Sequence, residues 1–156
     1  MAVDTKRVSS RRQLHFDSLD EVLADAEQMA SRPVELLGNW SQGQIYMHVA
    51  TVMQQSIDGL DFEPPWYLKI IGRLFLKGYT LKKGFPAGFQ LPENTKLRPS
   101  ETSVEEGLAA LRAGIERLKR ESTRAISPLL GRMTAEEWNL LHQRHAELHF
   151  SFIVPA

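Results

Sequence analysis

Residues 41–58, SQGQIYMHVATVMQQSID, decide the fold class of this sequence. Ser41 is followed three residues later by Gln44, the capping-box pattern in which two side chains satisfy the free N–H groups at the start of a helix. Apolar residues then recur at the helical period, at Ile45, Val49, Val52 and Met53. The stretch therefore predicts an amphipathic helix that begins after Ser41 and ends near Asp58.

The same capping pattern begins three more predicted helices, which end near Ser31, Thr123 and Phe152. Their capping pairs are Ser18 with Glu21, Ser103 with Glu106, and Thr134 with Glu137. Their apolar stripes are Leu19, Val22, Leu23 and Ala26; Leu108, Leu111, Ile115 and Leu118; and Trp138, Leu141, Leu148 and Phe152. Stripes of this kind bury one another, so the sequence predicts an all-α fold, a four-helix bundle.

The length of the chain and of the connections between these helices predicts the domain organisation. The chain has 156 residues, of which 42% are hydrophobic, which is enough for a single domain over residues 1–156 with an N-terminal arm at about 1–15. Residues from about 59 to 102 form a long crossover between the second and third helices. It holds a short helix, WYLKIIGRLFLK (66–77), and an irregular loop, KKGFPAGFQLPENTKLRPS (82–100).

Charge and cysteine content exclude several classes of function. Nineteen Lys and Arg residues balance nineteen Asp and Glu residues, so the chain has no net field to attract nucleic acid or a membrane, and we expect neither as a partner. Cysteine is absent, which excludes disulfides and thiolate ligands and fits a reducing compartment. No apolar run approaches the roughly 18 residues of a membrane span, so we expect a cytoplasmic protein.

Several histidines occupy positions that suit a metal site. His145 and His149 lie one helical turn apart and about 40° apart around the helix axis, so their rings can converge on one point. His48 supplies a third imidazole if the second and fourth helices pack together. Three neutral imidazoles with an open fourth position are typical of a catalytic metal centre. His142 is about 10 Å from His149 along the axis, so we expect it behind the ligands, in the cleft or at the surface, with pairing to His145 as an alternative.

Two glutamines accompany His48 on its helix. Gln44 and Gln55 share its azimuth and form a polar row beside the apolar stripe, which suits the wall of a cleft. The alternative is that these three are boundary residues and that the histidines of the last helix make ordinary hydrogen bonds inside the bundle. Two histidines at this spacing, with a third on another helix, favour the metal site.

The stretches that carry these histidines resemble a known family. NWSQGQIYMHVA (39–50) resembles the first metal-binding helix of the DinB-like and YfiT-like metalloenzymes, and GRMTAEEWNLLHQRHAELHF (131–150) is similar to the closing helix of one branch of that superfamily. The resemblance implies a four-helix bundle with a crossover between helices two and three, a divalent metal held by His48, His145 and His149, and a homodimer as a common state. The chain departs from the branch at Leu148 and at 150–152, where relatives often carry an adjacent second histidine and an R-Q-F run.

The resemblance further implies relatives that are metal-dependent hydrolases or thiol-dependent transferases and isomerases. We therefore expect a metal-dependent enzyme with a small-molecule substrate, in which a metal-bound water or a low-molecular-weight thiol is the reactive species. Imidazole ligands suit zinc and nickel, which we expect first, with iron, copper or manganese as alternatives. No residue stands out as a general base.

The competing function is a non-catalytic binding module with structural histidines that uses a basic amphipathic segment, residues 66–83. Its pattern suits an anionic membrane surface or a nucleic-acid backbone. Its cations are Lys69, Arg73, Lys77, Lys82 and Lys83, interleaved with Trp66, Tyr67, Ile70, Leu74, Phe75 and Tyr79. The neutral overall charge favours a simpler interpretation, a short helix packed on the bundle with its lysine side chains extending into solvent.

Overall fold

The chain is mainly helical in the computed structural model, which describes residues 2–88 and 95–156. The helices are α1 Leu19–Ala30, α2 Gln42–Asp58, α3 Trp66–Ile71, α4 Lys77–Lys83, α5 Val104–Arg120 and α6 Ala135–Phe150. A π-helical turn, Gly72–Leu76, joins α3 to α4, and a 3-10 turn occupies Thr5–Arg7. Two short strands, β1 Val34–Leu36 and β2 Ile153–Pro155, pair antiparallel with Glu35 opposite Val154. The predicted helical class is therefore correct, but the sequence analysis did not predict this two-stranded ribbon.

The four long helices begin where the capping pattern predicts. At α2, α5 and α6 both hydrogen bonds of the capping box are formed. At α1 only one is formed, because Glu21 accepts from the backbone N–H of Asp17 instead of that of Ser18. The predicted ends near Ser31, Thr123 and Phe152 lie one to three residues beyond the last helical residue.

The packing of α2 against α5 is the most extensive helix contact. Gly43 and Gly107 lie at the crossing of their first turns, where a Cβ on Gly43 would come within 2.2 Å of the carbonyl oxygen of Thr102. At their other ends Arg117 forms a bidentate ion pair with Asp58 at 2.7 Å. Both helices therefore run in the same direction, and the long connection between them is what makes this orientation possible.

The pairing of α2 with α6 determines whether the three candidate histidines lie close together. His48 lies beside His145 and His149, while Ser56, two turns further along α2, lies beside His142, so these two helices are antiparallel. Sixteen buried residues from α1, α2, α5, α6 and the flanking segments form one apolar core. On α6, Leu148 is only partly buried, so the predicted stripe is wrong at that position, and Phe150 occupies the core instead.

Residues 66–83 form one continuous helical segment that is longer than the predicted helix 66–77. Its inward positions are Leu68, Gly72, Leu76 and Thr80, spaced every fourth residue. In a regular α-helix with 3.6 residues per turn, positions four residues apart turn gradually around the axis and would leave the surface of the bundle. The wider π-helical turn at 72–76 compensates for this rotation and keeps the row facing the bundle. Gly72 lies directly on the backbone of Leu129, where a Cβ would come within 2.1 Å of the carbonyl oxygen. Residues 89–94 of the predicted loop lie outside the described part of the chain.

The second half of the predicted N-terminal arm packs along α6. Arg12 forms a bidentate ion pair with Asp25 and also donates to the carbonyl oxygens of Phe150 and Ile153. Arg144 donates to the carbonyl oxygen of Phe16 and to the carboxylate of Glu147. These contacts fix α6 from the side opposite α2. Within residues 2–88 and 95–156, none of the helices combines the length and hydropathy that a membrane crossing requires.

Candidate metal centre

Three imidazoles from two helices converge on one point. The Nε2 atom of His145 lies 3.1 Å from Nε2 of His48 and 3.1 Å from Nε2 of His149. Ligand nitrogens of the three rings all lie within 4.8 Å of one another. The structure thus brings together the three histidines that the sequence analysis selected, in an arrangement that can hold a metal ion.

The orientation of His48 is fixed by the backbone. Its Nδ1 lies 2.6 Å from the carbonyl oxygen of Leu97, and since a carbonyl only accepts hydrogen bonds, Nδ1 carries the hydrogen. In the neutral ring Nε2 is then unprotonated, and its lone pair points toward His145. Metal-binding histidines are commonly held in this way, with the second nitrogen donating to a carbonyl or carboxylate.

Hydrogen bonding alone does not satisfy the three nitrogens. A neutral imidazole nitrogen has either one N–H or one lone pair, so Nε2 of His145 can form at most one linear hydrogen bond with its two neighbours. If Nε2 of His145 is unprotonated, it faces the lone pair of His48, which is unfavourable. If it is protonated, it can point at only one of the two rings. A cation at the common point would be favourable for all three lone pairs.

Burial keeps the cluster neutral. It lowers the pKa of His48 to about 4, against a smaller opposite effect of the hydrogen bond to Leu97. Burial also sets the pKa of His145 well below its usual range, and the neighbouring rings of His149, His48 and His142 lower it further. The pKa of His149 is lowered by burial and then by His48. All three rings are therefore in the unprotonated form that binds metals.

Aromatic side chains enclose the cluster. Trp40, from the segment before α2, stacks on His149 with ring centroids 5.5 Å apart and lies 4.9 Å from the ring of His48. Phe85, which follows α4, presents its ring edge-on to His145 at 5.7 Å. His149 is only half-buried, so the cluster approaches the protein surface at this residue.

The comparisons with known proteins give a family but no activity. The model of a family described as protein of unknown function (DUF1569) matches residues 8–156. This chain belongs to that family. Neither the curated proteins nor the solved structures contain a match. What supports a function for this DUF1569 member is therefore the geometry of the site itself.

His142 lies outside the converging cluster of this DUF1569 protein. Its Nε2 lies 3.0 Å from Oγ of Ser56, which itself donates to the carbonyl oxygen of Met53, so His142 Nε2 carries the hydrogen and donates to Ser56. Its ring stacks on Trp138 at 5.6 Å. Burial, and then the charge of Arg124, lower its pKa to about 3. In residues 2–88 and 95–156 neither its Nδ1 nor that of His145 has a hydrogen-bond partner.

The two glutamines predicted to line the cleft have other contacts. Gln44 completes the capping box of α2 and donates weakly to the carbonyl oxygen of Pro99, at 3.4 Å. The side chain of Gln55 accepts from the backbone N–H of Asp61. A role for either in a substrate cleft remains a prediction. The sequence analysis did not select Trp40, Phe85 or Leu97, because aromatic residues outside the helices and a backbone carbonyl carry no recognisable spacing.

A separate cleft of about 520 Å³ lies between the N-terminal arm and α6. Phe85 and Leu148 line it, and Phe85 also contacts His145, so this one ring stands between the cleft and the histidine cluster. Arg11, Arg144 and Glu147 add charged groups to its wall. Phe85 is therefore the side chain through which this cleft contacts the cluster.

Proposed function

We propose that this protein is a metal-dependent enzyme in which His48, His145 and His149 hold one divalent ion. The observation that carries the proposal is the convergence of three Nε2 atoms with spacings of 3.1 Å from His145 to each of the others. Nitrogens at that separation can both bind one ion at about 2.0–2.1 Å, the usual length of a zinc–imidazole bond, because the angle between the bonds is then roughly 100°.

The donor set supports a catalytic centre in preference to a structural one. Structural zinc sites normally have four protein ligands, whereas no fourth histidine, aspartate or glutamate joins the three in the part of the chain that is described. When bound, a divalent ion on three neutral imidazoles polarises carbonyl groups and lowers the pKa of a water or thiol ligand toward neutrality. Zinc and nickel are the first candidates, with iron or manganese next.

The chain's own residues prepare the site for such an ion. The carbonyl of Leu97 holds His48 in the tautomer whose lone pair faces the cluster. Trp40 and Phe85 shield the rings from water and offer an apolar surface to a substrate. We infer a small-molecule substrate and a reaction of the hydrolase or the thiol-dependent transferase or isomerase type, with a low-molecular-weight thiol as cosubstrate in the second case.

The same proposal includes the finer fold assignment. The parallel direction of α2 and α5 supports a four-helix bundle of the DinB-like type over residues 1–156, with the crossover at about 59–102. A homodimeric state belongs to this assignment and rests on the resemblance of residues 39–50 and 131–150 to that superfamily, whereas the cytoplasmic location is the separate expectation of the sequence analysis.

Metal analysis tests the proposal directly. Protein purified without a polyhistidine tag is incubated with zinc or nickel, dialysed and subjected to elemental analysis, and we expect one ion per chain. The loaded protein and the His145→Ala variant are then compared on a panel of activated esters and of thiol acceptors, where turnover should depend on the ion. A metal content well below one per chain would contradict the proposal.

The alternative is a non-catalytic module in which the histidines are structural. The neighbouring His142 favours this alternative, because it shows that the bundle can bury a histidine in a purely structural role. Its ring is held by Ser56 and Trp138 and does not converge with the other imidazoles. The metal analysis separates the two functions, since a structural cluster would retain no ion. Stoichiometric metal without turnover of any substrate would support a metal-binding module instead of an enzyme.

A further inference from the structure

The helical segment 66–83 exposes an apolar face that nothing in the described chain covers. Seven of its large apolar side chains are between 44% and 73% exposed, namely Trp66, Tyr67, Ile70, Ile71, Leu74, Phe75 and Tyr79. In the rest of the described chain only Val3, Leu36 and Ile126 are comparably exposed. The sequence analysis favoured a short helix packed on the bundle with its lysine side chains in solvent. The segment does pack on the bundle, but these seven apolar side chains lie outside that contact.

The inward side of the segment explains why the outward side is free. Gly72 lies on the backbone of Leu129, and Thr80 is buried, so the segment is already fixed to the bundle by its opposite face. Lys77 strengthens this attachment through an ion pair with Glu137 at 3.0 Å. The exposed apolar face is therefore not needed for attachment of the segment.

Positive charge surrounds this face. The segment holds five cations and no carboxylate, and the sequence has no Asp or Glu from Pro64 to Pro92. Lys69 and Lys77 are paired with Glu63 and Glu137. In residues 2–88 and 95–156 no carboxylate pairs with Arg73, Lys82 or Lys83, and all three are exposed.

We propose that this face is a docking surface for an anionic lipid membrane. Trp, Tyr and bulky aliphatic side chains on one side of a helix, with lysines and arginines around them, are the composition of helices that lie in a membrane interface. Anionic lipid headgroups supply the negative charge that Arg73, Lys82 and Lys83 lack among the described residues. A membrane-bound segment of this kind lies on the bilayer and does not span it.

Charge argues against a second copy of this chain as the occupant. In a two-fold symmetric dimer the same patch faces itself, so the cations of one copy would lie against those of the other. The segment has no carboxylate with which to compensate them. Anionic lipid satisfies both the apolar and the charged parts of the surface. The proposal does not depend on the metal site, because none of the three histidines belongs to this segment.

Vesicle binding tests the proposal with the full chain. Sedimentation with vesicles of phosphatidylcholine and phosphatidylglycerol at 7:3 is compared with sedimentation with pure phosphatidylcholine, at low and at moderate salt. We expect binding to the anionic vesicles, weaker binding at moderate salt, and little binding to the neutral ones. The emission of Trp66 should shift to shorter wavelength on binding, and the Trp66→Phe variant should lose that shift.

Paired substitutions separate the apolar and the charged contributions. L74Q/F75Q removes two side chains that are each 69% exposed, so it should leave the fold intact and weaken binding by more than tenfold. K82Q/K83Q should weaken binding about 30-fold at low salt. R32Q/R120Q makes the same change in net charge elsewhere on the surface, and Val3→Gln removes an exposed apolar residue of the N-terminal arm. Both controls should bind as the unmodified protein does.

Three outcomes would overturn the proposal. Binding to neither kind of vesicle excludes it, and equal loss of binding in R32Q/R120Q and K82Q/K83Q excludes this segment as the site. The third is a dimer, detected by light scattering, that L74Q/F75Q dissociates while wild-type protein binds no vesicles, which would make the face an interface between two copies.

Discussion

Two buried histidine environments lie between α2 and α6, and they differ in what surrounds the ring nitrogens. At His142 the chain itself provides an acceptor, Ser56, and a stacking partner, Trp138. At His48, His145 and His149 three nitrogens of the same kind face one another, and no arrangement of hydrogens satisfies all of them. Burial of a histidine is therefore not evidence for a metal, but convergence of several Nε2 atoms is.

The sharpest test of this difference is removal of single rings. His48→Ala, His145→Ala and His149→Ala should each abolish stoichiometric zinc or nickel binding, because two imidazoles hold a divalent ion far more weakly than three. His142→Ala should still retain one ion per chain. If His142 orients a ligand, its loss should reduce metal affinity by about 10- to 100-fold without emptying the site. Elemental analysis after dialysis and competition with a chelator of known affinity measure both effects.

A reversed result in this series would be informative. If His142→Ala empties the site while His149→Ala leaves it filled, the ion is held by His142 and His145 instead, and the register of α6 against α2 is wrong by about one turn. If all four variants bind as wild type does, the cluster does not hold the metal.

Acidification should destabilise the metal-free protein in both environments. Burial lowers the pKa of His48 to about 4 and that of His142 to about 3, whereas an unfolded chain binds these protons near pH 6.5. Between pH 6.5 and the folded-state pKa the unfolded state holds more protons. The free energy of unfolding should thus be constant above pH 6.5 and fall below it, by about 1.4 kcal/mol per pH unit for each histidine.

Urea unfolding between pH 7.5 and 5, above the range in which most carboxylates titrate, measures this slope. The His142→Gln variant should lose one histidine's share of it and retain the share of the cluster. A free energy of unfolding that does not change between pH 6.5 and 5 would contradict neutral, buried rings.

The cluster alone should respond to metal in thermal unfolding. An ion that binds only the folded state at about 1,000 times its Kd stabilises that state by about 4 kcal/mol. We expect the melting temperature to rise with zinc or nickel and to return to its metal-free value with chelator. His142→Ala should keep this response and His149→Ala should lose it, and identical melting temperatures with chelator and with saturating metal would argue against the site.

The sequence predicts the helices and two of the three clustered histidines because both follow from local rules. Ser41 with Gln44 forms the capping box at the predicted position, and His145 and His149 share one face because helical spacing requires it. The choice of His48 required the additional assumption that α2 packs on α6. The carbonyl of Leu97, which fixes the tautomer of His48, could not be predicted, since every residue has a carbonyl and only tertiary structure decides which one approaches the ring.

The segment 66–83 shows the opposite limit. Its amphipathic pattern is legible in the sequence, but the pattern does not say which side faces the protein. The π-turn and Gly72 decide this, because they place the small side of the helix against Leu129 and leave Leu74 and Phe75 outside. Periodicity predicts that a helix has two sides, and close backbone contacts determine which one is buried.

The smallest expected effect concerns the hydrogen bond that holds His142. Ser56→Ala removes the acceptor of His142 Nε2–H, and because both side chains are fully buried, water cannot easily replace it. A buried donor left without a partner costs about 1–3 kcal/mol, so the free energy of unfolding should fall by that amount. Thr51→Ala is the matched control, since the Thr51 hydroxyl donates to the carbonyl of Met47 on the same helix and its removal should cost little. Neither variant should change the metal content, because Ser56 contacts His142 and the proposed ion is bound by His48, His145 and His149. If Ser56→Ala emptied the metal site, the two environments would be one coupled network, and the distinction between them would fail.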